Sequence, residues 1–130
     1  MNISIGYPPN FEKIKKVFPI KKNTIYTYGD TIYTPGFKYR LPFDLIEHEK
    51  VHMWQQGDDP EKWWDRYLVD PEFRYFQELE AYRNQYRVFK KKYLDPEYRN
   101  RFLIVLAREL SSSLYGGITE FFIAMNQISK

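Results

Sequence analysis

The chain holds two histidines, and both fall within His48-Glu49-Lys50-Val51-His52. This is H-E-x-x-H spacing. On a helix, residues i and i+4 share one face, so the two imidazoles point the same way and can chelate one divalent ion. Glu49 sits one residue round from His48. It can reach water beside that ion without ligating the ion, take a proton from it and pass the proton to a leaving amine. The chemistry this spacing points to is metal-assisted hydrolysis of an amide.

An ion that does such chemistry takes three protein ligands and keeps one position open. The chain has no cysteine and no third histidine, so the remaining ligand must be Asp or Glu. The segment Phe76-Gln77-Glu78-Leu79-Glu80-Ala81-Tyr82 supplies candidates. Its helical apolar stripe runs through Tyr75, Phe76, Leu79, Tyr82, Tyr86, Phe89 and Tyr93. Wheel counting puts Glu78 about 75° from the centre of that stripe and Glu80 about 125° away. Glu78 therefore lies at the edge of the buried face, and Glu80 turns toward water. A carboxylate beside a core is costly unless it is paired or bound to metal. Glu78 is the favoured ligand, with Glu80 as the alternative. The plainer reading pairs Glu78 with Arg74 or Lys50. Gln55, three residues past His52, can support a ligand from behind.

These residues need elements to hold them. A helix from Asp44 to about Gln56, stopped by Gly57, carries the histidines and Glu49. Val51, Trp54, Ile46 and Met53 cover much of its remaining surface, which predicts a helix buried on most sides. Asp59-Pro60, Asp70-Pro71 and Asp95-Pro96 repeat one grammar, an Asp N-cap followed by Pro at the first helical position. They open three more helices, the middle one long, over roughly 71–93. A last helix follows Gly116-Gly117, near 117–128. Ahead of these, a short helix near 10–18 precedes two β-rich segments, 24–28 and 31–34, joined at Gly29-Asp30 as a hairpin. Phe37–Leu41 reads as a further edge strand. The order, a small β-hairpin or sheet and then a helical bundle, predicts an α+β domain.

His48-Glu49-x-x-His52 followed by Glu78-x-x-Ala81-Tyr82 resembles the gluzincin metallopeptidases, which pair H-E-x-x-H with a downstream Glu on a second helix. Together with Thr31-Ile32-Tyr33, Leu41 and His52-Met53-Trp54-Gln55-Gln56, it is similar to small single-domain peptidases of bacteria and their phages. The resemblance spans residues 31–82. It implies a zincin-like fold, Zn²⁺ on His48, His52 and Glu78, Glu49 as general base, and a peptide or protein substrate. Relatives often carry Asp where Tyr82 stands, to orient a ligand histidine, and the Tyr82 hydroxyl would take that part. It also implies that substrate lies along an edge strand, here segment 31–41, by strand addition. Tyr82, Arg83 and Tyr115 are considered as oxyanion donors, and none is singled out.

Composition bounds the alternatives. At 130 residues and 15.9 kDa the chain is expected to form one domain, residues 1–130. Aromatics make up 19% of it, which excludes a disordered or low-complexity chain. The lack of cysteine excludes disulfides, iron–sulfur clusters and thiol nucleophiles. A net charge of +3 does not demand a nucleic-acid partner. The basic cluster over 87–92 instead suits the end of a long helix. The longest apolar runs, Phe102–Ala107 and Phe121–Met125, are too short to cross a bilayer. The start lacks the character of a signal peptide, which predicts a cytoplasmic protein or one built into a phage particle. The competing function is a non-catalytic domain of the same fold that serves as a structural part of a larger assembly.

Overall fold

The structure is a computed structural model that describes residues 1–36, 40–112 and 118–130. Among them the order of elements is β1 (Asn2–Ser4), α1 (Phe11–Val17), β2 (Tyr26–Tyr28), β3 (Thr31–Tyr33), α2 (Phe43–Gln56), α3 (Pro60–Val69), α4 (Pro71–Lys92), α5 (Pro96–Leu110) and α6 (Phe121–Ser129). The class is α+β, a three-stranded sheet with six helices.

The Asp-Pro grammar holds at all three helix starts. Asp59, Asp70 and Asp95 accept hydrogen bonds from the backbone N–H groups of Lys62, Phe73 and Tyr98, and Pro occupies the first turn each time. Each cap satisfies one donor that the helix cannot. The hairpin also forms as read, with Gly29 at φ +63° between β2 and β3.

Four features differ from the sequence reading. Asp44 does not cap α2; the N-cap is Pro42, and Asp44 lies inside the first turn with a buried side chain. Asp44 turns inward because Gln85 of α4 donates to it. The last helix begins at Phe121, after Glu120, so residues 118–120 precede it. Segment 31–33 is not an edge. The sheet order is β1-β3-β2, because the N-terminus returns to pair in parallel with β3, Ile3 against Ile32. A paired central strand has no free backbone groups for a peptide to join. Of the rest of the expected edge strand, residues 34–36 and 40–41 form no strand, and residues 37–39 lie outside the described residues. Finally, α2 is not apolar on its buried side. Its buried residues are Asp44, His48, Glu49, His52 and Gln56, while Trp54 is 76% exposed.

Two apolar clusters flank that helix. Tyr75, Leu79, Tyr82 and Tyr86 of α4 pack against Leu103, Leu106 and Leu110 of α5 and Ala124 and Ile128 of α6. Ile14 of α1, Tyr26 of β2, and Trp63, Trp64, Tyr67 and Leu68 of α3 form the second cluster. The polar face of α2 meets α4 antiparallel in the seam between them, Asp44 opposite Gln85 and His52 opposite Glu78.

Candidate metal centre

His48 and His52 stand one turn apart on α2, and Glu78 faces them from α4. His48 Nε2 lies 3.0 Å and His52 Nε2 3.1 Å from Glu78 Oε1, and the two nitrogens are 3.2 Å apart. All three residues are buried. A tetrahedral zinc ion 2.0–2.1 Å from each donor sets those donors about 3.3 Å apart. The observed triangle is close to that, so the residues fit a single divalent ion with three protein ligands.

The second oxygen of Glu78 is occupied elsewhere. Tyr67 of α3 donates its hydroxyl to Oε2 at 2.5 Å. The carboxylate thus shows one oxygen to the histidines and is steadied through the other. Burial, and then the charge of Glu78, hold the Tyr67 phenol well above its ordinary pKa. Tyr67 therefore stays a donor. Its role was not read from sequence; its spacing from Trp63 and Trp64 signals only a buried face of α3.

Without a metal, the charges around the site favour a proton on His52. Burial of His52 opposes its charge, but Glu78, joined by Glu49 and Gln55, more than offsets burial and raises His52 to about 9. Burial pushes Glu78 the other way, yet the two imidazoles hold it below its ordinary value. A buried carboxylate with two imidazoles and no cation would be costly, and the His52 proton relieves that cost.

Behind the ligands lies a ring of polar contacts. His48 Nδ1 is 2.9 Å from Gln85 Oε1, and Gln85 Nε2 donates to Asp44 Oδ2 at 2.9 Å. His52 Nδ1 is 2.8 Å from Gln55 Oε1, and Gln55 Nε2 donates to the Gln77 carbonyl and to Glu80 Oε1. Gln55 thus supports His52 directly. Glu80 is exposed and touches Gln55, not the cluster. Lys50 pairs with Glu47 rather than with Glu78. Tyr82 places its ring edge-on against His48, centroids 4.6 Å apart. Gln85 is the residue that meets His48 Nδ1, and its only sequence signal is its position two turns after Glu78 on the same face of α4.

Glu49 is buried beside the cluster but is not one of the three converging residues. Thr27 of β2 donates to its Oε2 at 2.9 Å. Thr27 is fixed in turn, because its carbonyl accepts from Gln56 and Trp64. Those bonds engage the carbonyl of Thr27, on the strand that packs against α2. Glu49, His48, His52, Glu78 and Tyr67 all line one cavity of about 130 Å³. Its other walls are largely apolar, with Phe11, Ile14, Phe18, Tyr26, Trp63 and Trp64 among them.

No protein-family model, curated protein or solved structure matches this chain.

Proposed function

We propose that the domain is a zinc-dependent hydrolase of peptide bonds, of zincin type, with His48, His52 and Glu78 as ligands and Glu49 as general base. The observation that carries this reading is the shared cavity. It joins a three-residue ligand set to a separate buried carboxylate on the same helix, within a largely apolar wall. A purely structural ion has no need of that extra carboxylate.

Two imidazoles and one carboxylate suit zinc among the divalent ions. Bound there, zinc supplies a Lewis acid that makes water more acidic and polarises a carbonyl. The chain's own residues do the rest. Tyr67 and the ligand triangle keep one Glu78 oxygen aimed inward. Thr27 holds Glu49 through one oxygen and leaves the other to take a proton from attacking water. Glu49 then returns that proton to the leaving nitrogen, which closes the proton balance of amide hydrolysis. The apolar walls favour a hydrophobic side chain of a peptide or protein substrate over a highly charged one.

The test uses zinc-loaded protein and a library of quenched fluorescent peptides. The parent should cleave a subset of them. Glu49→Gln should keep its zinc and lose about 10²–10⁴-fold in rate, the usual worth of a general base. A parent that binds zinc and cleaves nothing would favour the other reading, a structural domain within a larger assembly.

A further inference from the structure

The ring nitrogens that face away from the cluster carry an inference of their own. Asp44 Oδ2 is an acceptor, so it claims the NH₂ of Gln85 and leaves the amide oxygen facing His48 Nδ1. An amide oxygen accepts only, so the proton must sit on His48 Nδ1. The same logic holds at the other ring. The Gln77 carbonyl and Glu80 claim the NH₂ of Gln55, and its oxygen faces His52 Nδ1. Both amide orientations are therefore set by groups that cannot donate.

We infer that Gln85 held by Asp44, and Gln55 held by Glu80 and the Gln77 carbonyl, are positioning residues that lock both imidazoles with the proton on Nδ1. With Nδ1 protonated, the nitrogen that each ring turns toward the cluster and offers to an ion is Nε2. This step rests on the metal reading for its purpose, but the tautomer follows from the hydrogen bonds alone. The two relays differ in burial. Asp44 and Gln85 are both buried, whereas Gln55 is half-buried and Glu80 exposed. Water can replace Gln55 more readily than Gln85, so the His48 relay carries more of the effect. Neutral amides also fix the rings without making them as electron-rich as a directly bonded carboxylate does.

Two measurements test this. Long-range ¹H–¹⁵N spectra report which ring nitrogen holds the proton, in metal-free and in zinc-loaded protein. The expected result is a protonated Nδ1 on both rings in both forms; a bare Nδ1 on either ring would overturn the inference. Chelator competition then gives zinc affinity. Gln85→Leu, close to Gln in shape, should lower it by about 10–100-fold, the usual worth of a group that orients a ligand. Gln55→Leu should lower it less. The exchanged pair Asp44→Asn with Gln85→Glu puts an acceptor back at His48 and a donor behind it, and should recover most of the loss. A Gln85→Leu protein that binds zinc as the parent does, or a folded exchanged pair with no recovery, would overturn the assignment. A parent that takes up no zinc defeats the metal reading, and the metal-free spectra then decide the tautomer by themselves.

Discussion

Glu78 is the hub of the site. One oxygen meets both histidines and the other meets Tyr67, so its charge, on α4, is felt at three side chains on two other helices. This makes the metal-free protein sensitive to pH in a definite direction. The folded-state pKa of His52, about 9, lies above the ordinary 6.5. The stability it contributes is fully present below about 6.5 and is lost as pH rises through about 9. Glu78 is shifted down from 4.5, so its contribution is present above that pH and is lost as pH falls. Together the pair stabilises the metal-free fold most between about pH 4.5 and 6.5. Zinc must displace the His52 proton, so its affinity should climb with pH up to about 9 and each ion bound should release a proton below that. Thermal melts of metal-free protein across pH 5–10 should fall on the alkaline side, and zinc titrations at two pH values should show the proton release. A flat melting temperature across pH 6.5–10 would break the assigned pairing of His52 with Glu78.

At the scale of elements, local grammar was the legible part. Asp before Pro announced α3, α4 and α5, and Gly29 announced the hairpin turn. Each of these is a contact within four residues, which sequence spacing reports directly. The H-E-x-x-H pair and the inward placement of Glu78 were legible for the same reason, since helical periodicity fixes a face. What escaped was set by partners distant in sequence. Asp44 resembles an N-cap, but Gln85, 41 residues away, turns it inward. Strand β1 is a short segment with Ile3 half-exposed and becomes a strand only because β3 pairs with it. The end of α2 offers a clean test of the local grammar. Gly57 closes the helix at φ 59°, ψ −133°, a conformation that side chains disfavour, and nothing crowds the place where a Cβ would stand. Gly57→Ala should therefore cost about 1–3 kcal/mol from backbone strain alone. Denaturant unfolding would measure it; a cost near zero would mean that α2 ends by another geometry.

At the scale of the molecule, α2 is the helix with no fully buried apolar side chain. It contributes no buried hydrophobic side chain to either cluster, and what it buries is polar. Full hydrophobic burial, the dominant stabilising term, thus acts on α4, α5 and α6 and on α1, β2 and α3, while the fully buried side chains that α2 brings to the seam are held by hydrogen bonds. An ion bound there ties α2 to α4 directly. Any opening that separates those helices must release it, so zinc at 100 times its Kd should add about 2.7 kcal/mol against that opening. For a domain of this size that is a rise of about 10 °C in melting temperature. The distribution of the effect is the sharper test, because regions open with different free energies. Hydrogen exchange at α2 should slow by about 100-fold with zinc at that excess, wherever exchange requires α2 to leave α4. Helices α5 and α6, held by their own apolar contacts, should change little in any local opening. His52→Ala should abolish the protection of α2 while leaving α5 and α6 as they were. Equal protection along the whole chain would mean that the two clusters and the seam open as one unit, and that the polar face of α2 is not the weak joint its burial pattern describes.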